Sequence, residues 1–296
     1  MNSPKRRSSG VVPSAAGLIP FGHLGWGYRD RAEFLGRAAE YITDGVAQNQ
    51  WIEYVGNGTR AELLAELAAM PGVADRLSDG GIAATPAREF YAIHSDSDVV
   101  DPVAAVAAFL AAVEHAINNG YTGFRAVSDA TAVTRKPEGR EAFARFEFLI
   151  DRVMAVHPVS ALCAYDLTEL GDSADGLICL HPFVDTRAAD FQLYAEADAG
   201  YALTGEIDAA GDELFASAVH RTWELTGDDT LVIDAHDLEF IGHRQLVALD
   251  DYAGAHRRKV VLRGGQCVVT RLVRLLELKN IELAPPPPVA CSGASG

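Results

Sequence analysis

The chain has 296 residues, enough for two domains, with 49% hydrophobic and 22% charged positions, the composition of a globular protein. Its formal charge of −16 at pH 7 excludes a general nucleic-acid binder, which needs a basic footprint to displace counterions. No run reaches the roughly 18 uninterrupted apolar residues of a membrane span, so no membrane partner is expected.

The basic opening MNSPKRRSSG is followed by Val11–Pro20, a short stretch broken by two prolines. A secretory signal is therefore not expected, and residues 1–20 read as a flexible tail. The basic clusters Lys5–Arg7 and Arg257–Lys259 are short enough to be solvated surface. Four cysteines, Cys163, Cys179, Cys267 and Cys291, show no disulfide framework and suit a reducing cytoplasm.

From 21 to 184 strand-like and helical runs alternate, the pattern of an α/β sheet. His23 precedes the glycine- and aromatic-rich Gly25-Trp26-Gly27-Tyr28, and a helix with Phe34 and Leu35 follows. Trp51–Val55 is the first predicted strand. Thr59 caps a helix from Arg60 to Met70, which Pro71-Gly72 ends. Phe90–His94 is the next strand, and Asp101-Pro102 opens an alanine-rich helix to Asn119, closed by Gly120. Strands are then expected at Gly123–Val127 and Ser160–Tyr165 around a helix from Glu138 to Val156, with Gly176–Leu180 as a candidate fifth.

After the bridge Val184–Asp190 comes a second domain, 191–284. Strands are predicted at Phe191–Ala195, Tyr201–Ile207, Thr230–Ala235 and Lys259–Arg263. Helices are predicted at Ala210–Leu225, Arg244–Ala255 and Cys267–Leu278. The proline run Pro285–Pro288 and the final CSGASG read as a disordered tail, 285–296.

Within 191–284, Leu203-Thr204-Gly205-Glu206-Ile207-Asp208, Leu231-Val232-Ile233-Asp234 and Leu238-Glu239-Phe240-Ile241-Gly242 follow one another before a helix. In that order they resemble the STAS family, the fold of bacterial anti-anti-sigma factors. Asp208 is placed to cap the helix after its strand. The resemblance implies a mixed α/β sheet that catalyses nothing and docks onto an anti-sigma factor or regulatory kinase, or that dimerises. Switching members carry Asp-Ser-Ser/Thr-Gly where this chain has Gly242-His243-Arg244-Gln245. No hydroxyl stands there for phosphorylation, and Asp208, Gly242, His243, Arg244 and Gln245 are the candidate partner-binding residues.

In the first domain, His23, Gly123-Phe124-Arg125-Ala126-Val127-Ser128-Asp129, Glu147, Cys163-Ala164-Tyr165-Asp166 and His181-Pro182 stand in one order. Together they resemble the MEDS sensory domain, which implies a RecA/KaiC-like α/β fold that senses a small ligand. Ligands of open α/β sheets sit at the carboxyl ends of the strands. The candidate ligand-binding residues are His23, Tyr28, Arg125, Asp129, Cys163, Tyr165, Asp166 and His181, with Trp26, Tyr28 and Tyr165 lining an apolar pocket.

Other roles remain open: Arg125 and Asp129 as a buried ion pair, Cys163 as a packed small side chain, His181 as a strand cap. Gly56-Asn57-Gly58-Thr59-Arg60 lacks the lysine of a P-loop, so ATP hydrolysis is not expected. His23, Cys163, Cys179 and His181 are metal-ligand types, with Cys179 and His181 alternating on one strand. No C-x-x-C or H-E-x-x-H pair occurs, and neither metal nor cofactor is expected. A nucleophilic Cys163 with His181 and Asp166 is the enzymatic variant.

The whole reads as a non-catalytic cytoplasmic signalling regulator, in which a ligand or redox sensor controls a STAS-like module with a transcriptional output and no DNA contact. The alternative is a RecA-like nucleotide- or metal-binding protein with residual enzymatic activity.

Overall fold

The computed structural model describes residues 7–17, 22–197, 199–227, 229–264 and 267–284. The first domain runs β1 (Gly10–Val11), β2 (His23–Tyr28), α1 (Arg31–Ala47), β3 (Trp51–Gly56), α2 (Arg60–Ala69), β4 (Ile82–Pro86), α3 (Ala87–Phe90) and α4 (Pro102–Asn118). It continues with β5 (Phe124–Asp129), α5 (Thr131–Thr134), α6 (Pro137–Met154), β6 (Val159–Asp166), α7 (Leu167–Leu170), α8 (Asp175–Ile178) and β7 (Phe183–Val184).

Its seven strands are all parallel, in the order β1-β7-β2-β6-β5-β3-β4. Helices cover both faces, which is why β2 and β5 bury every residue. The helix starts follow local chemistry. Asp30 caps α1, Thr59 and Glu62 form a capping box on α2, and Asp101 accepts from Val103 and Ala104 ahead of Pro102 on α4.

Side-chain alternation along β2 and β6 sorts the core into two layers. Leu24, Trp26, Tyr28, Leu162 and Ala164 pack with Phe34 and Tyr41 of α1. Cys163 and Tyr165 face the other way, toward Phe143, Phe146 and Phe148 of α6. Trp26 and Tyr28 therefore cannot share a pocket with Tyr165, contrary to the expectation from their types.

The second domain comprises β8 (Phe191–Glu196), β9 (Ala199–Ile207), α9 (Asp212–Thr222), β10 (Thr230–Asp234), β11 (Leu238–Ile241), α10 (His243–Ala255), β12 (Lys259–Arg263), α11 (Cys267–Leu275) and β13 (Ile281–Leu283). The strand order is β11-β9-β10-β12-β13, parallel throughout, with β8 antiparallel to β9. β9 pairs with β10 at Tyr201–Ala202 and with β11 from Gly205 onward. At that change of partner Gly205 has φ +80°, and a Cβ there would lie 2.1 Å from the Asp190 carbonyl oxygen. Only glycine fits. The proposed tail 285–296 lies outside the described residues.

The two domains meet on α6. Phe148 packs edge-on to Tyr201 at 5.5 Å between ring centroids. Arg221 of α9 donates to Glu141 at 2.8 Å, and Arg152 donates to the Leu225 carbonyl at 2.8 Å.

Several expectations are overturned. Phe90–His94 is not a strand: Pro86 ends β4 and begins α3, and the Phe90 and Tyr91 rings join the aromatic cluster of Phe109, Phe143 and Phe146. Gly176–Leu180 is not extended: Gly176–Ile178 lie in α8 and Cys179–Leu180 in the turn after it, because this short apolar run packs against α9 instead of entering the sheet. The first long strand is β2, which its two glycines disguised as a loop. The amino-terminal segment is no free tail between Arg7 and Gly17: Gly10–Val11 pairs with β7, and Ala15 is buried. Residues 1–6 and 18–20 lie outside the described residues.

Arg125 lies near the start of β5, not at its carboxyl end, and is fully buried. Its Nε donates to Gln50 Oε1 at 2.7 Å, its Nη1 to the Tyr41 carbonyl at 2.8 Å, and its guanidinium lies 4.4 Å from the Tyr41 ring centroid. Asp129, four residues on and so about 13 Å along the strand, takes other partners. Arg125→Met is expected to destabilise the protein by about 2–4 kcal/mol, because buried acceptors lose a charged donor. Urea denaturation of Arg125→Met, Asp129→Asn and the double variant checks this. The two effects should add, whereas a large coupling would show that the residues act as a pair.

Candidate functional site

Four side chains from four segments converge on one point beneath the sheet: His23 from β2, Glu147 from α6, Cys163 from β6 and His181 from the turn between α8 and β7. Each is buried, and their ligand atoms all lie within 4.8 Å of one another. The register explains the meeting, since Gly25 lies opposite Cys163 across the β2–β6 pair and His23 opposite Ala161. Position 25 must be glycine for His181 to approach, because a Cβ there would stand 2.8 Å from His181 Nδ1.

The outer atoms of the cluster are tied down. His23 Nδ1 lies 3.0 Å from Asp151 Oδ1, one helical turn beyond Glu147 on α6. Asp151 also receives Arg7 through two contacts of 2.8 and 2.7 Å and the backbone N–H of Ala195 at 2.9 Å. Tyr165 donates to Glu147 Oε1 at 2.6 Å. His181 Nδ1 lies 3.0 Å from the Leu177 carbonyl oxygen. A carbonyl only accepts, so that nitrogen carries the proton and His181 Nε2 is a bare lone pair. Nε2 is buried and has no hydrogen-bond partner.

The electrostatics follow from burial and these contacts. Burial works to lower the pKa of His23, but the carboxylates of Asp151 and Glu147 outweigh it and raise it above the ordinary histidine value. Burial opposes ionisation of Asp151, yet Arg7 and His23 hold its pKa below normal. Glu147 is likewise depressed, its burial outweighed by the facing imidazoles and Tyr165. His181 is pushed down to about 4 by burial and by neighbouring His23. Burial, then Glu147, holds the Cys163 thiol well above its usual range, the opposite of what an activated nucleophile needs.

The other expected ligand residues lie elsewhere. Tyr28 donates to Asp129 at 3.0 Å, and Arg31 bridges Asp129 and Glu66 at the carboxyl ends of the strands. Asp166 caps α7 by accepting from Thr168, so it does not join Cys163 and His181 in a triad. Cys179 ends α8, and its carbonyl accepts from Leu193 of β8. Helix rather than strand at this point removes the shared face that would have paired Cys179 with His181. A separate cavity of about 270 Å³ lies beyond β3 and β4, lined by Gly56, Asn57, Gly58, Pro86, Arg88 and Lys136. The loop after β2, where a P-loop would belong, is only Arg29-Asp30.

Asp151 and Arg7 escaped sequence reasoning, as did the placement of Glu147 at the centre. A signal existed: Glu147 and Asp151 lie in the otherwise apolar stripe Phe143, Ile150, Met154 of α6, where unpaired acids are costly.

In the second domain, α9 and α10 flank an apolar groove of about 380 Å³ that includes Phe215, Val219 and Leu249. Arg244 lines one end, and His243 beside it is exposed. Gly242 is the α10 N-cap and has no side chain to offer. Gln245 is buried, donates to the Asp208 carbonyl and to Asp212, and so latches α10 to the start of α9 at the edge of the groove that it also lines. Asp208 accepts from Ala210 and Gly211 in the turn ahead of α9 and does not cap the helix itself.

Asp151→Asn is expected to cost about 3–5 kcal/mol at neutral pH, because Arg7 loses its buried counter-charge. The depressed pKa of Asp151 means that its contribution is complete above the unfolded carboxylate value of about 4 and is lost as pH falls through the lower folded value. His23, with a raised pKa, contributes fully below about 6.5 and loses this as pH rises through its folded value. The gap between wild type and Asp151→Asn should therefore be widest in between, as urea midpoints from pH 3 to 9 would show.

Among the described residues no helix is long and apolar enough to cross a membrane. Residues 22–182, more than half of the chain, match the family model described as the methanogen/methylotroph, DcmR sensory domain, abbreviated MEDS. That span holds all four converging side chains and ends just before β7. The second sheet is thus known by its own architecture. A comparison with curated proteins finds no match. The chain belongs to the MEDS family.

Proposed function

We propose that the chain is a non-catalytic cytoplasmic signalling regulator, whose MEDS domain senses a small ligand or redox state and passes it to a STAS-like carboxy-terminal module. The observation that carries this reading is Asp151, which touches the buried sensory cluster through His23 and the second domain through the Ala195 backbone. A change in the cluster reaches β8 through one carboxylate. The all-parallel sheet supports a RecA/KaiC-like ancestry, and the two-residue loop after β2 speaks against ATP hydrolysis.

On this reading the module presents the α9–α10 groove, with His243 and Arg244 at its mouth, to an anti-sigma factor or related regulatory kinase. The output is transcriptional without DNA contact. With Gly242 at the start of α10 and no hydroxyl beside it, phosphorylation does not set the module's state, so control falls to the sensory domain. Ala216 and Ala248 are exposed residues lining the groove, and replacing both with glutamate leaves the core intact. Co-purification of the full chain with candidate anti-sigma factors should succeed for wild type and weaken at least tenfold for Ala216→Glu/Ala248→Glu, a loss of about 1.4 kcal/mol or more. Equal capture of both forms would remove the groove from the function.

A further inference from the structure

We propose that His23, Glu147, Cys163 and His181 form a binding site for one divalent transition-metal ion of the zinc class. The argument begins with distances. A tetrahedral ion bound at the usual 2.0–2.3 Å holds its ligand atoms about 3.3–3.8 Å apart. His23 Nε2 lies 3.2 Å from Glu147 Oε2, Cys163 Sγ lies 3.5 Å from His23 Nε2 and 3.7 Å from Glu147 Oε2, and His181 Nε2 lies 3.7 Å from Glu147 Oε2. The remaining two separations are no more than 4.8 Å. The His181 contact is long for an N···O hydrogen bond, and the sulfur contacts, of ordinary length for thiol hydrogen bonds, equally suit neighbours on one coordination shell.

The second line is the direction of the lone pairs. Both imidazoles commit Nδ1 outward, His23 to Asp151 and His181 to the Leu177 carbonyl, and so aim Nε2 at the common point. This is the outer-shell arrangement that fixes histidine ligands on metals. Glu147 is held the same way, with Oε1 occupied by Tyr165 and Oε2 turned inward. His181 Nε2 is the independent sign: a buried, unpartnered acceptor on a ring whose opposite, Nδ1 edge is admitted only by glycine at position 25. A buried acceptor without a donor costs about 1–3 kcal/mol, which a metal bond removes.

The third line is ligand chemistry and charge. Two imidazoles, a carboxylate and a thiolate select a borderline-soft ion in tetrahedral geometry over magnesium or calcium, which take oxygen shells. Carboxylate and thiolate neutralise a divalent ion, and Asp151 is separately matched by Arg7, so the filled site adds no net charge to the interior. All four positions come from protein, the closed pattern of structural and sensing sites. Binding expels one proton from the thiol and, where His23 carries it, one from Nε2, and it transfers no electrons.

The test uses the full-length chain, free of histidine tags, stripped with chelator and titrated with Zn²⁺ and with Co²⁺. The expected result is one ion per chain by elemental analysis, a thiolate-to-cobalt charge-transfer band, and a thermal midpoint that rises with free Zn²⁺. Cys163→Ser should lose the band and His181→Gln the stoichiometry. Cys179→Ser, altering a buried cysteine outside the cluster, should keep both. Asp151→Asn should weaken binding by roughly 10–100-fold. Failure of folded wild type to take up either ion, or a cobalt spectrum unchanged in Cys163→Ser, would overturn the site. Circular dichroism confirms that each variant folds, and if His181→Gln does not, wild-type stoichiometry and the cobalt band decide. The site stands apart from the signalling reading: a metal-free chain that still captures its partner removes only the metal, and a loaded chain without a partner removes only the relay.

Discussion

A carboxylate with no route to water must be surrounded by donors, and Asp151 is where this chain meets that demand. Its side chain is fully buried and is satisfied by Arg7, by His23 and by the backbone of Ala195. Those partners come from the amino-terminal segment, the central sheet and the first strand of the second domain. An ionised group in a low-dielectric interior tolerates little displacement of its counter-charges. One acid on α6 thereby fixes the position of His23 and the seating of β8 together.

The same helix gives the two domains their shared border. α6 presents Glu147 and Asp151 toward the sheet, while Glu141 and Phe148 meet α9 and Tyr201 of the second domain. A rigid helix in contact with both domains transmits small rotations as a body, since packed interiors shift between discrete arrangements rather than deform smoothly. The second sheet also touches the end of α8 directly, since the Leu193 N–H of β8 donates to the Cys179 carbonyl.

Much of this was legible in the sequence. Caps at Thr59 and Asp101 and the buried runs Trp51–Gly56, Phe124–Asp129 and Val159–Asp166 carry local signals that tertiary structure preserves. His23, Cys163 and His181 stand out by residue type. Their convergence was not legible, since it depends on which face β2 presents and on the rotation of α6, both set by packing between distant segments. β2 itself was obscured by Gly25 and Gly27, which read as loop residues until their close neighbours, His181 and Leu167, are seen. Gly176–Leu180 misled because a short apolar run has no length over which to tell strand from helix. Arg125 misled for another reason: a charged residue in a strand suggests a ligand, whereas here it ties α1 to the sheet.

Arg7 reaches across 144 residues to Asp151 and 188 to the Ala195 carbonyl. On the ribosome, at ~5–20 residues per second, β8 follows Arg7 by roughly 10–40 s. During that interval α1 to α6 can be folded with Arg7 already present, while Asp151 still lacks the backbone N–H of Ala195. The cluster thus acquires its full set of outer contacts only after the second domain has begun to emerge. Synthesis itself orders the assembly: the buried cluster cannot be completed before β8 is made.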